Sequence, residues 1–398
     1  MIDARISGFY RMTIVERLDE LLRRGIIDAE TAKRLKNSKG LLSANVADRM
    51  VENVIGVFGL PFAVAPNFRV NGKDYVIPMV IEEPSVVAAV SAAAIVVRNS
   101  GGFTTTSTDP VSIGQIHLYD LPDEQAAITR LAAADVQLVE QANELQPGLV
   151  ARGGGAIGLE IRRLQLIDGR KTLALHLLVD TRDAMGANLV NTMCEGIASR
   201  VAELVGGNAV LKILSNLADR SMISASVRIP VDQLGADGAR LRDAIVLANE
   251  IALVDPYRAA THNKGIMNGM DAVAIATGND WRALEAGAHA YAARDGAYRA
   301  LTSWTASGRG DLLGLLRLPV RMGIVGASLK ANPAAVAGLC IAGAGSSQEL
   351  GELTTAVGLA QNFAALKALA TEGIQRGHMR LHARSVAMSA AEIGRSHV

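Results

Sequence analysis

Between Val111 and Leu214 the chain runs through an order of elements that few topologies satisfy. Val111 to Tyr119 alternates as a strand does, and Glu124 to Leu145 reads as a helix ended by Pro147-Gly148. Ile157 to Leu166 and Thr172 to Val179 read as strands joined at Asp168-Gly169, followed by a helix over Ala187 to Val205 and a strand over Ala209 to Leu214. The order β-α-β-β-α-β is that of a ferredoxin-like split βαβ unit. Helical and extended segments continue on both sides, so the unit reads as an insertion. The expectation is an α+β chain: a large, mostly helical domain over 1–109 and 216–372, a small domain over 110–215, and a C-terminal flap over 373–398.

The flanks carry their own signals. Met12 to Gly25 and Asp28 to Leu35 read as helices, and Val46 to Phe58 repeats apolar residues at helical spacing. Asn71-Gly72 between Phe68 and Ile81 marks a hairpin, because this pair supplies the positive φ angles of a type I′ turn. The hairpin ends at Glu82-Glu83-Pro84, where the residue before proline is held extended. Ser85 to Asn99 is an apolar helix expected to be buried on all sides. Further on, Ile223 to Ile229 and Leu312 to Leu318 read as strands, while Leu241 to Leu253, Arg282 to Arg294 and Gln348 to Ala370 read as helices.

Bulk properties exclude several classes. The 398 residues suffice for two domains. Forty basic against 39 acidic residues, with no long charge run, argue against nucleic acid as a partner. Cys194 and Cys340 are the only cysteines, which fits a reduced cytoplasmic protein without a cysteine zinc site. The N-terminus lacks the apolar core of a signal peptide, and the most apolar run, Val86 to Val97, is shorter than the ~20 residues that cross a bilayer. No membrane association is expected. With 49% hydrophobic residues, some apolar surface is expected to be buried between subunits.

Asp255 to Trp281 is the densest polar stretch. Tyr257, Arg258, Thr261, His262, Asn263 and Lys264 precede an apolar run, Ala272 to Ala276, that reads as a short buried strand. Thr277-Gly278-Asn279-Asp280 then leads into a helix. Lys264 is the first candidate for chemistry and Asp280 its candidate partner. Equally, Asp280 can be a helix cap and Lys264 a solvated lysine; both readings stand on spacing alone.

Other motifs divide in the same way. Gly153 to Gly158 matches G-x-G-x-x-G, but an extended run follows it where a dinucleotide fingerprint needs a helix. Arg182 to Asn188 is better placed for a diphosphate, since it follows a strand and opens a helix whose N–H groups face the turn. His378 and His382 lie i, i+4 apart, yet no third ligand accompanies them and no metal is expected. Gln361 and Asn362 sit mid-helix among apolar residues, where buried amides either meet a ligand or cross-link helices.

Taken together, Glu52-Asn53-Val54-Ile55-Gly56, Glu83-Pro84-Ser85, Arg182 to Asn188, Asp255-Pro256-Tyr257-Arg258, His262-Asn263-Lys264-Gly265, Gly278-Asn279-Asp280 and Gly377-His378-Met379 resemble 3-hydroxy-3-methylglutaryl-CoA (HMG-CoA) reductase. They occur in that family's order and span nearly the whole chain. The match is to the bacterial, class II type and is most similar to its NAD-dependent, mevalonate-degrading branch. The resemblance implies a homodimer with the active site at the interface, HMG-CoA, mevalonate and coenzyme A as substrates, and NAD as cofactor, with NADP open. It also implies Glu83, Lys264, Asp280 and His378 as catalytic residues. Ser85, Arg258, Gln361 and Asn362 would meet the acyl part of the substrate, and Arg11, Glu52 and Asn53 the coenzyme A part. Asp183, Met185, Gly186, Ala187 and Asn188 would line the cofactor site.

Three departures stand out. Gly326-Ala327-Ser328-Leu329 replaces a Gly-Gly-Ala-Thr run of relatives. Gln146, with Glu144 nearby, occupies the place of an acidic residue in the NAD-using branch. The tail after His378 is shorter than in relatives. A coenzyme A thioester-binding protein without turnover, or a structural oligomer, are the competing readings.

Overall fold

The computed structural model of the chain describes residues 2–37, 42–326, 329, 331–371 and 373. Among these, thirteen α-helices and ten strands follow in order. The first part holds α1 (Ile14–Arg23), α2 (Ala29–Lys36), α3 (Ala44–Ala47), β1 (Phe62–Val70), β2 (Lys73–Val80), α4 (Val86–Asn99) and β3 (Thr104–Ser107). The middle holds β4 (Val111–Tyr119), α5 (Glu124–Ala133), α6 (Asp135–Glu144), α7 (Pro147–Val150), β5 (Gly155–Gln165), β6 (Lys171–Asp180), α8 (Ala187–Val205) and β7 (Asn208–Ser215). The last part holds β8 (Met222–Ile229), α9 (Gly238–Val254), α10 (Pro256–Ala276), α11 (Trp281–Ala292), β9 (Thr302–Ala306), β10 (Leu312–Pro319), α12 (Pro333–Ala342) and α13 (Ser347–Ala370).

The middle part forms an antiparallel sheet in the order β5-β6-β4-β7. Numbered within the unit this is 2-3-1-4, the ferredoxin-like arrangement expected from the order of elements. Helices α5, α6 and α8 bury one sheet face in a core of their own, with Leu131, Leu138, Met193 and Val201 among its residues. The unit leaves the chain after β3 and returns at β8, and these two strands are hydrogen-bonded neighbours in a second sheet, β3-β8-β10-β9. Entry and exit therefore lie side by side, the geometry of an insertion.

The larger core gathers around α13. Its residues from Leu350 to Phe363 are almost all buried, as an apolar sequence without a polar stripe demands. Helices α4, α9 and α10 and strands β8 and β10 pack on it. The β1–β2 hairpin turns at Asn71 (φ 48°) and Gly72 (φ 78°), as the Asn-Gly pair predicts.

Four expectations fail. Ala272–Ala276 is the last turn and a half of α10, not a strand. A five-residue apolar run cannot distinguish the two, and here it continues a 21-residue helix buried under its neighbours. Val46–Phe58 is helical only as far as Ala47. Beyond it the chain runs through turns, with Asn53 at a left-handed φ of 58° that no helix could include, and Val51, Ile55 and Phe58 stand exposed. Glu124–Leu145 is two helices broken at Ala134. Finally, α4 is not buried all round: Ala88, Ala92, Ile95 and Asn99 form an exposed stripe.

Candidate active site

Because α10 is one continuous helix, its polar residues separate onto opposite faces. His262 and Asn263 turn inward and Lys264 turns outward. The Lys264 ammonium lies 3.0 Å from Glu83 Oε2, and the Asn268 amide, one turn on, donates to the same oxygen at 3.3 Å. Glu83 sits between β2 and α4, directly before Pro84. The lysine side chain is 61% and the glutamate 33% exposed, so the pair is screened by water and contributes only about 0–1 kcal/mol to stability. An ion pair of so little structural worth leaves both charges available to a ligand. In the single chain the Glu83 carboxylate is only partly buried.

Ser85, two residues beyond Glu83, caps α4 with a left-handed φ of 79°. Among the described residues six non-glycines have positive φ, and three of them, Asn53, Ser85 and Arg182, fall in segments that carry the family resemblance. Such backbone costs of order 1–3 kcal/mol each and tends to gather at ligand sites.

Asp280 sits at the N-cap of α11, where its Oδ1 accepts from the Arg282 and Ala283 N–H groups and pairs with the Arg282 guanidinium at 3.3 Å. The partner seen for Lys264 is thus Glu83, and the capping role considered for Asp280 is present. The corner between α10 and α11 is fixed by Asn279. Its buried amide donates to Gly323 O and accepts from Gly323 N at 3.1 and 2.7 Å. The following residue, Ile324, donates its N–H to Asp183 O at 2.9 Å. A short strap thus ties the lysine helix to the Arg182–Asn188 turn.

That turn fits a nucleotide diphosphate. Gly186 caps the 19-residue α8 with φ 92° and no side-chain hydrogen bond. A Cβ on Gly186 would lie 2.4 Å from Thr181 Cγ2, so only glycine brings the backbone this close. The first N–H groups of a long helix then face outward without a capping side chain, as an anion requires. Around them, Asp183 Oδ1 accepts from Ser347 N at 2.8 Å, anchoring the turn to α13. Ala187 opens α8 and Asn188 is exposed on its first turn, with Met185 partly buried beside Gly323. Arg321, which sequence reading missed, donates to Thr181 Oγ1 and Ala184 O at 2.5 and 2.6 Å. Burial pulls its guanidinium down to about 10, opposed by Asp180 and Asp183. The glycine run before β5 is a strand entry, as read: Gly153 O accepts from Arg182 Nε at 2.7 Å.

The remaining candidates scatter. Asn362 is 2% exposed and belongs to the interior: its Oδ1 accepts from Trp304 Nε1 at 2.8 Å, and its Nδ2 lies 3.0 Å from His262 Nε2. It cross-links α10, α13 and β9. Gln361 is buried beside it, and its Oε1 has no partner among the described residues. Arg258 lies half-buried on α10, near enough to His262 to act on its charge. Arg11 is exposed in a 3-10 turn, bonded to Tyr10, and Glu52 and Asn53 lie in an exposed turn. His378 and His382 lie outside the described residues.

The chain matches the family model "Hydroxymethylglutaryl-coenzyme A reductase" over residues 16–383. It belongs to the HMG-CoA reductase family. The 3-hydroxy-3-methylglutaryl-coenzyme A reductase of Archaeoglobus fulgidus is 49% identical over 394 residues, covering 99% of this chain and 89% of that one. A probable reductase of Borreliella burgdorferi is 36% identical, covering 85% and 77%. The class II HMG-CoA reductase of Streptococcus pneumoniae, solved bound to NADPH in open conformations, superposes with a TM-score of 0.89 at 42% identity, covering 92% of this chain and 99% of that one. Membership makes the chain an NAD(P)-dependent oxidoreductase acting as an HMG-CoA reductase. No helix among the described residues is long and apolar enough to cross a membrane.

Proposed function

We propose that the chain interconverts HMG-CoA with mevalonate and coenzyme A using NAD(H), through a mevaldyl-CoA thiohemiacetal and mevaldehyde. The observation that carries this is the Lys264–Glu83 pair on the open face of α10, tied through Asn279, Gly323 and Ile324 to the glycine-capped turn at Asp183–Asn188. The bound nicotinamide supplies one hydride at each of the two reductions.

Every other step falls to the chain's own groups. As the thioester carbonyl carbon gains hydrogen, its oxygen becomes an oxyanion, and the Lys264 ammonium neutralises it. Charge placed in advance where charge develops is usually the largest catalytic term. Glu83, once it has taken up a proton from solvent, is placed to hand it to the same oxygen, completing the thiohemiacetal. Collapse then returns the hydroxyl proton to Glu83 as the carbon–sulfur bond breaks. The thiolate takes a proton, a role we assign to His378, and the aldehyde is reduced and protonated at the Lys264–Glu83 pair. Asp280 steadies the lysine from the corner of α11. Ser85, Arg258 and Gln361 hold the acyl part, Arg11, Glu52 and Asn53 the coenzyme A part, and Asp183, Met185, Gly186, Ala187 and Asn188 the cofactor.

The same reading divides the chain at 110–215 for the cofactor domain, with the flap over 373–398, and places the protein in the cytoplasm. It also makes the chain a homodimer with the site at the contact. Exposed Ala88, Ala92 and Ile95 on α4 and Leu247, Ile251 and Val254 on α9 are apolar surface that such a contact would cover. A second reading, NADP(H) as cofactor, is favoured by the NADPH of the Streptococcus neighbour. The test follows near-ultraviolet absorbance with HMG-CoA and NADH or NADPH, and the reverse with mevalonate, coenzyme A and each oxidised cofactor. Turnover is expected, faster with NADH. Thioester binding without turnover in any mixture would leave a coenzyme A-binding protein instead.

A further inference from the structure

Arg321 has no part in the chemistry above, yet it reaches the turn that would hold the cofactor. It lies just past the end of β10, on a stretch tied to the residue before β8: Val320 donates its N–H to Ser221 O at 3.0 Å, and Ser221 Oγ donates to Val320 O at 3.2 Å. From there one guanidinium nitrogen, Nη2, donates to Thr181 Oγ1 at 2.5 Å and to Ala184 O at 2.6 Å. Thr181 is fully buried, and its hydroxyl also donates to Ala184 O at 3.0 Å. Its methyl group is what Gly186 packs against, since a Cβ on that glycine would come within 2.4 Å of it. Arg321 thus holds the residue that sets how closely the start of α8 approaches the turn.

The two preceding carbonyls are taken up as well. Arg182 O accepts from Ser347 Oγ at 2.8 Å, and Asp183 O accepts from Ile324 N at 2.9 Å. Three successive carbonyl oxygens, those of Arg182, Asp183 and Ala184, are therefore bonded to donors from distant parts of the chain. A carbonyl oxygen carries partial negative charge and repels a phosphate, whereas a backbone N–H attracts one. A turn that receives a diphosphate must therefore keep its oxygens occupied. The first two are held by neutral donors and the third by a guanidinium, and a bond from a charged donor is about twice as strong as a neutral one.

We propose that Arg321 is a positioning residue for the cofactor: by holding the Ala184 carbonyl and the Thr181 hydroxyl, it keeps the oxygens of the turn away from the cofactor diphosphate and leaves the start of α8 open to it. This rests on the reading that Asp183, Met185, Gly186, Ala187 and Asn188 line the cofactor site. Arg321 acts on the cofactor through the turn. Without it the Ala184 carbonyl is free to swing toward the phosphates, and the N–H groups of α8 bind them less tightly. The acyl substrate is held by other residues, so the effect falls on the cofactor.

The test uses the full chain, Arg321→Met and Arg321→Lys, with equilibrium binding of NADH, NADPH and HMG-CoA measured separately. Methionine keeps much of the apolar stem and donates nothing, while lysine restores a charged donor. Arg321→Met should raise the Kd of whichever reduced cofactor the unaltered chain binds about tenfold, with the Kd of HMG-CoA within about twofold. Arg321→Lys should return the cofactor Kd to within about threefold of native. Thr181→Val removes the hydroxyl and keeps the contact with Gly186, so it should raise the cofactor Kd about fivefold and serves if Arg321→Met does not fold. An arginine that only supports the fold would weaken both ligands together or neither. Native cofactor affinity in Arg321→Met or Thr181→Val, an equal loss for HMG-CoA, or a lysine variant as weak as the methionine one would overturn the proposal. An unaltered chain that binds HMG-CoA and neither reduced cofactor would overturn the cofactor reading of the turn itself, and this inference with it.

Discussion

His262, Asn263 and Lys264 are consecutive, yet they belong to different parts of the molecule. On the inner face of α10, His262 Nε2 lies 2.5 Å from Thr302 Oγ1 and burial pulls the imidazole down to about 3, so it stays neutral. Asn263 donates to Arg299 O at 2.8 Å and accepts from Leu301 N at 3.0 Å, anchoring the segment that leads into β9. Asn362 and Trp304 extend this network. On the outer face, Lys264 and Glu83 meet in water, with almost nothing of the fold depending on them. The inner network is dry and costly to break; the outer pair is wet and cheap to remove. One motif therefore serves two ends, and its mutants should separate cleanly into those that lose structure and those that lose chemistry.

After Lys264 itself, Glu83→Gln carries the largest expected effect on the outer side. It keeps the shape and loses the proton, so turnover should fall about 10²- to 10⁴-fold with an unchanged thermal midpoint. A fall in midpoint of several degrees would mean that the pair is structural after all. On the inner side, Asn362→Ala strands the Trp304 N–H and the neighbours of His262. It should cost about 2–3 kcal/mol in denaturant unfolding, since each buried unsatisfied polar group costs about 1–3 kcal/mol. Stability within a few tenths of native would move Asn362 to the substrate side. Asp280→Asn sharpens the boundary between the two. Asparagine caps as well as aspartate, so stability should change by less than about 0.5 kcal/mol. Turnover should fall about tenfold where the carboxylate steadies Lys264, and stay native where Asp280 is a cap alone.

The ordering of elements was legible wherever local chemistry decides conformation. The Asn71-Gly72 turn, the β-α-β-β-α-β unit and the Gly186-capped start of α8 all appear where their residues put them. Reading failed where a longer neighbourhood decides. Ala272–Ala276 is strand-like in isolation and helical because α10 continues into it. Val46–Phe58 has helical spacing, but its apolar residues face outward with no core to bury them, and Asn53 breaks the run. The first error hid part of the site. With α10 taken as helix, Lys264 and Asn268 fall at i and i+4 on one face, and Asn268 would have joined Lys264 from spacing alone. Arg321 carries no such mark, because its reach to Thr181 and Ala184 depends on how the chain after β10 packs against the turn before α8. The Lys264–Glu83 contact joins residues 181 positions apart, and only the resemblance to the reductase family placed both in one site.

The central claim is that the Lys264 charge acts on substrate and not on the fold. The direct test measures kcat and thermal midpoint side by side in Lys264→Ala and Asn263→Ala, with HMG-CoA affinity taken without cofactor. Lys264→Ala should lose turnover by about three orders of magnitude or more while its midpoint stays native. Asn263→Ala should lower the midpoint by several degrees while its folded fraction keeps turning over. Near-native turnover in Lys264→Ala, or a collapse of its midpoint to match Asn263→Ala, would contradict the account.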